Sequence, residues 1–182
     1  MLNTVYQLVR PRQFEVVFKD ITMDDKHVIV HPTHLSICHA DQRYYQGLRA
    51  EAVLKKKLPM ALIHEGIGRV IYDPTGHFEQ GTLVVMIPNT PVEQDEIIAE
   101  NYLRSSKFRA SGFDGFMQEY VSMEPDRLVV LPEDINLSVA AFTEIVSVSY
   151  HAIQRFLRFS HERRNVIGVW GDGNLGYITS LL

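Results

Sequence analysis

The sequence predicts a mainly β chain with some α-helix: a barrel or sandwich, followed by the opening of a dinucleotide-type α/β unit. Three observations predict it. Short runs rich in Val, Ile and aromatics recur with turn residues between them. A long stretch, Ile135 to Gln154, then has Glu144 as its only Asp, Glu, Lys or Arg. The chain closes on an apolar run, Val166 to Trp170, followed by Gly171-Asp172-Gly173-Asn174-Leu175-Gly176 and a helix start, which is the order strand, G-x-G-x-x-G, helix.

The expected strands are Phe14–Phe18, His27–Ile37, Ile67–Tyr72, Leu83–Ile87, Phe116–Val121 and Leu128–Leu131. Asp24-Asp25, Asp73-Pro74-Thr75-Gly76 and Ser111-Gly112-Phe113-Asp114-Gly115 supply turn chemistry between several of them. Pro88 to Phe108 breaks the pattern with a cluster of acids followed by Arg104 and Lys107, and reads as an exposed lobe with a short helix. Asn136 or Ser138 is placed to cap a helix to about Arg158, with Phe142, Ile145, Val146, Ile153 and Phe156 on its apolar face. Phe159 to Asn165 is a polar, basic linker. A βαβ unit needs roughly 30 residues, and its ribose-reading acid lies about 20 residues beyond the glycines. Both would fall past Leu182, so the chain reads as a truncated part of a longer enzyme.

At 182 residues, with 46% hydrophobic and 22% charged residues, the composition is that of an ordinary soluble globular chain. A net charge of -4 leaves no excess of Lys and Arg to neutralise phosphates, which argues against nucleic-acid binding. Polar interruptions in Ile135–Gln154 argue against a membrane span. The single cysteine suits a reducing compartment, and Met1-Leu2-Asn3-Thr4 lacks a basic secretory n-region, so the expectation is cytoplasmic.

That cysteine, Cys38, belongs to a scattered set of metal-ligand types with His64, Glu65 and Glu144. One thiolate, one imidazole and carboxylate oxygens suit Zn²⁺, and the mixture suits a catalytic ion better than a closed structural one. Cys38 ends an expected strand and is followed by the polar His39 and Asp41, and Asp41 is placed to hydrogen-bond a liganding histidine. A buried free thiol is the plain alternative. His64-Glu65 interrupts an apolar stretch, with a surface turn as its alternative; position 68 is glycine, so the H-E-x-x-H protease motif is not met. Glu144 is expected mid-helix, with Ala140, Ala141, Ser147 and Val148 at its helical neighbours and no basic partner. Of the other histidines only His39 and His151 stay near enough in sequence to be considered.

These residues resemble a family. Ser36-Ile37-Cys38-His39-Ala40-Asp41, Pro59 with Ile63-His64-Glu65-Gly66-Ile67-Gly68, Gly112 to Val121, Asp126 to Asp134, Thr143 to Ala152 and the Gly171–Gly176 loop occur in the order found in zinc-dependent medium-chain alcohol and polyol dehydrogenases. Gln42 to Tyr45, Pro88 to Pro91 and Ile98 to Leu103 add a likeness to the ribulose-5-phosphate reductases of teichoic-acid and CDP-ribitol synthesis. The resemblance implies a chaperonin-10 (GroES)-like catalytic domain over 1–136, a connecting helix and linker over 137–164, and the start of a Rossmann domain over 165–182. It implies one catalytic zinc on Cys38, His64 and Glu65, Glu144 as the glutamate that closes the shell, and Asp41 behind the ligands. Gly171, Gly173 and Gly176, with Asn174 and Leu175, are implied to bind the pyrophosphate of NADPH, or of NADH.

The implied reaction reduces D-ribulose 5-phosphate to D-ribitol 5-phosphate, in a homo-oligomer with a ribitol-5-phosphate cytidylyltransferase as a partner. Arg43 is the nearest cation for the phosphate; Arg104, Lys107 and Arg109 are weaker choices. The alternatives are a zinc polyol or alcohol dehydrogenase with an unphosphorylated substrate, and a non-catalytic metal-binding or assembly module. Three departures stand out: Ala40 where relatives carry a relay hydroxyl, Ile63 where glycine often precedes the His-Glu pair, and a lobe without the cysteines of a structural zinc.

Overall fold

The computed structural model describes residues 1–182. The strands are β1 (Leu2–Arg10), β2 (Gln13–Asp20), β3 (Val28–Ser36), β4 (Met60–Ala61), β5 (Glu65–Tyr72), β6 (Leu83–Met86), β7 (Asn89–Thr90), β8 (Lys107–Phe108), β9 (Val121–Met123) and β10 (Leu128–Val130). The helices are α1 (His39–Tyr45), α2 (Glu51–Lys57), α3 (Leu137–Ala140), α4 (Thr143–Phe159) and α5 (Asn174–Leu181). The sheets run β2-β1-β4, β10-β6-β5-β3-β9 and β7-β8, and every pairing is antiparallel.

The five-stranded sheet buries both faces around β6. Val84 and Met86 join Val28, Val30, Val70 and Phe116 in the main core. Leu83 and Val85 point the other way, with Ile67 and Ala140 of α3. Alternation along one strand thus feeds two layers.

Most of the expected strands form, with three differences. β1 is a full strand that the sequence pattern conceals, because its buried face carries polar Asn3 and Gln7 beside Val5. Those amides are satisfied: Asn3 donates to the Gln118 side chain and to the Tyr120 carbonyl, and Gln7 donates to Asp114. Phe116–Val121 is not a strand; Gln118 makes a lone bridge to Val5 and the ladder begins only at Val121. Val166–Trp170 carries no ladder, since no segment of the chain pairs with it, and Trp170 is fully exposed.

The expected helix over Asn136–Arg158 is two helices. Asn136 caps α3 by accepting from the Val139 N–H. The chain breaks at Ala141–Phe142 before α4 starts at Thr143. Glu144 therefore sits in the first turn of α4, not mid-helix. No helix is long and apolar enough to cross a membrane.

Candidate metal centre

The register of the central sheet assembles the site. β3 and β5 pair antiparallel with Ser36 opposite Glu65. The chain leaving β3 reaches Cys38, and the chain entering β5 comes through His64, so the residues just outside that pair are forced together. The Sγ of Cys38 lies 3.7 Å from Nε2 of His64. One ligand atom each from Cys38, His64 and Glu65 falls within 4.8 Å of the other two. This is a thiol, an imidazole and a carboxylate converging from segments remote in sequence, a donor set that fits one Zn²⁺ with room for a further ligand.

The buried groups are set for a cation. Burial, reinforced by the Asp41 carboxylate, pushes the Cys38 thiol up to about 12. Glu65 is 3% exposed, and its carboxyl is raised by burial, partly offset by a hydrogen bond from Ser36. Burial and then the negative charge of Glu65 push Glu144 up to about 7. Glu144 stands outside the group of three, and reaches Glu65 from α4, which packs on β5. The buried Glu65 carboxylate, eased by the nearby His64, and the half-buried Glu144 carboxylate raise each other's cost of ionisation unless one is protonated or both are shared with a cation.

Asp41 acts differently from the sequence expectation. It is buried at the third position of α1, where its carboxylate accepts from the Cys38 N–H at 3.1 Å and from the Cys38 thiol at 3.0 Å. Its second oxygen accepts from the Ile63 N–H at 2.9 Å. It makes no bond to the His64 ring, because capping α1 aims it at Cys38 and the 62–64 segment. Asp41 ties together the two segments that carry the thiol and the imidazole.

Ile63 explains its own departure. Its φ is +69°, in the left-handed region where glycine is unstrained and a β-branched residue is an outlier. The position is fixed from both sides: the Ile63 carbonyl accepts from the Phe116 N–H at 2.6 Å, and its N–H goes to Asp41. The buried Ile63 side chain packs with Leu8, Tyr44, Met60 and Leu62, which offsets the strain.

His39 is exposed at the start of α1, and His151 bonds the Tyr102 hydroxyl at 2.7 Å; neither joins the ligand group. Arg43 lies in the last turn of α1, half-buried and without an ion pair. Phe108 was invisible as a site residue. The two-residue pairing of β7 with β8 carries its ring edge-on to His64, with centroids 5.1 Å apart. Only such a non-local pairing could have revealed it.

The glycine loop has its own geometry. Gly171 has φ +124°, which L side chains rarely adopt, and a Cβ on Gly176 would stand 2.1 Å from the Gly171 carbonyl oxygen. No protein atom lies within 4 Å of where a Cβ on Gly173 would stand. Gly173 caps α5 without a side-chain bond, which leaves the first N–H groups of α5 free for an anion. The loop thus fits the pyrophosphate of a dinucleotide.

Comparison with known proteins places the fold in a family. The family described as alcohol dehydrogenase GroES-like domain matches residues 24–133. Ribulose-5-phosphate reductase of Bacillus spizizenii is 63% identical over 182 residues, covering 100% of this chain and 53% of that protein. Ribulose-5-phosphate reductase 2 of Staphylococcus aureus has the same identity and coverage. The crystal structure of S. aureus TarJ in complex with NADPH superposes with a TM-score of 0.80 at 50% identity, over 100% of this chain and 50% of that one. The chain spans about half the length of the relatives it matches. By the match over residues 24–133, the chain belongs to the alcohol dehydrogenase GroES-like domain family, within the medium-chain dehydrogenases.

Proposed function

We propose that this chain is the metal-holding catalytic part of an NADPH-dependent reductase that converts D-ribulose 5-phosphate to D-ribitol 5-phosphate, the precursor of CDP-ribitol for teichoic-acid synthesis. The observation that carries the reading is the convergence of Cys38, His64 and Glu65 within 4.8 Å. The whole-chain identity of 63% to proteins named ribulose-5-phosphate reductase supports the substrate, and the NADPH held by TarJ supports the coenzyme. The division at 1–136, 137–164 and 165–182, a cytoplasmic location, a homo-oligomer and a cytidylyltransferase partner belong to the same proposal.

Cys38, His64 and Glu65 would hold the ion, with Glu144 as a carboxylate able to approach it. A bound zinc would supply Lewis acidity toward the C2 carbonyl oxygen of the ketose. Asp41 holds the Cys38 and Ile63 segments in register. The Cys38 thiol, raised to about 12 by burial and Asp41, would have to give up its proton to hold a cation. The Gly171–Gly176 turn and the N-terminus of α5 would receive the pyrophosphate. Overall, a hydride passes from NADPH to C2 and a proton to its oxygen, leaving NADP⁺ and the alcohol.

The test uses this chain continued to the length of its relatives, loaded with zinc. NADPH oxidation with ribulose 5-phosphate, absent with ribulose, is the expected result. Equal turnover of the two sugars would instead give the unphosphorylated polyol reading. Zinc binding without turnover of any sugar would leave a metal-binding module.

A further inference from the structure

Beside the metal centre lies a cleft of about 640 Å³, walled by α2, β7, β8, the end of β9 and the Ser111–Phe113 turn. Its charge is unlike that of the chain as a whole. Lys57, Lys107 and Arg109 line it, against Glu124 as the single acidic residue, in a chain of net charge -4. None of the three cations makes an ion pair. His27 also lines the cleft and is held by Asp24 at 2.7 Å.

The cations are oriented without being neutralised. Lys57 donates to the Ser111 carbonyl at 2.6 Å and to the Ser111 hydroxyl at 2.9 Å, both neutral acceptors. Arg109 donates to the Ser122 carbonyl at 2.6 Å, and its guanidinium carbon stands 5.3 Å from the Phe113 ring centre. Its Nε is buried without a partner, and burial pulls the group down to about 10 despite the negative charges of Glu124 and Asp114. Thr90 and Ser122 are also among the residues lining the cleft. Three cations lining one cleft without ion pairs are the charge that a phosphate dianion requires. The lining has only two apolar residues, so the cleft does not suit a flat apolar ligand.

Position gives the cleft its meaning. Phe108 lines it and also packs edge-on against His64, so one ring separates the basic cleft from a metal-ligand candidate. We propose that this cleft binds the phosphate of a phosphate monoester through Lys57, Lys107 and Arg109, in place of Arg43. The identity of that monoester as the ketose phosphate rests on the reading under Proposed function. The shared chemistry also fits free inorganic phosphate.

The experiment separates these sources in the zinc-loaded, extended protein. Inorganic phosphate and ribitol 5-phosphate are titrated calorimetrically into the wild type, the exposed-site variant Lys107→Gln, the double variant Lys57→Gln/Lys107→Gln, and Arg10→Gln/Lys56→Gln as a control that removes two charges outside the cleft. The proposal expects binding of both ligands by wild type and control, at least about tenfold weaker in the double variant, and none of neutral ribitol. No binding by the wild type, or equal binding by the double variant, overturns it. In turnover, the double variant is expected to raise KM for ribulose 5-phosphate at least about tenfold, with kcat and the KM for NADPH held. Lost phosphate binding with an unchanged KM overturns the assignment to substrate and leaves a free-phosphate site. If the wild type does not reduce ribulose 5-phosphate at all, the reductase reading falls and the titration alone judges the cleft.

Discussion

Gly115 and Gly176 face the same steric demand with different consequences. A Cβ on Gly115 would stand 2.2 Å from the Ile63 carbonyl oxygen; one on Gly176 would stand 2.1 Å from that of Gly171. Around Gly115 the backbone is zipped to the ligand segment: Gly115, Phe116 and Met117 donate to Ala61, Ile63 and Leu62. Phe116 there is fully buried. Around Gly176 the neighbours Trp170, Leu175 and Tyr177 are exposed, and the close contact is to the loop's own start. The candidate metal ligands are therefore positioned by the core of this chain, whereas the glycine loop lies outside that core, tied to it through the packing of α5 on α4.

The largest expected effect lies on the ligands. Cys38→Ser or His64→Ala should weaken zinc on the order of 100-fold or more, read as metal content after dialysis. Trp170→Ala, in the exposed region, should leave zinc content unchanged. Equal loss in all three would erase the distinction between the regions.

Next come the glycines. Gly115→Ala should destabilise the chain by about 1–3 kcal/mol or more in urea unfolding, since the added methyl meets fixed backbone. Gly176→Ala also meets backbone, so it should be destabilising too, but by less than Gly115→Ala, because the displaced Gly171 carbonyl lies in an exposed loop and not in the core.

The pH response of Glu144 sharpens the account of the site. Its carboxyl is raised from 4.5 to about 7 in the folded chain. Below 4.5 both states are protonated. Between 4.5 and 7 the unfolded state loses its proton first, so metal-free stability falls as pH rises through that window, by up to about 3 kcal/mol. Glu144→Gln should flatten this dependence and raise stability at pH 8. Thermal unfolding across pH checks both.

At Ile63 the small quantity is a difference between two substitutions. Ile63→Ala loses buried apolar surface and keeps the left-handed strain, whereas Ile63→Gly also relieves about 1 kcal/mol of strain. Glycine should therefore be the better tolerated of the two, the reverse of the order at an ordinary strand position. Paired melting curves decide it.

Much of this was legible in the sequence, for identifiable reasons. β5, β6 and the first three residues of β3 show as Val- and Ile-rich runs because both their faces are buried, and Cys38, His64 and Glu65 show because they are polar interruptions beside such runs. β1 was hidden by its buried amides, whose partners lie far along the chain. α1 and α2 are too short for periodicity to reveal. The strand expected at Val166–Trp170 has the right composition, but a strand is defined by its neighbours. Asp41 was recognised as a supporting residue, yet its partner depended on capping geometry that spacing does not encode. The basic cleft is built from α2, β8 and a turn, so no local pattern announces it.

The most direct test of the central claim is X-ray absorption at the zinc edge on this chain loaded with one equivalent of zinc. Cys38 is its only cysteine, so thiolate scattering has one source. The account predicts a single sulfur at about 2.3 Å with nitrogen and oxygen neighbours, and loss of that sulfur in Cys38→Ser. A shell of oxygens alone, or a spectrum that the substitution leaves unchanged, would contradict it.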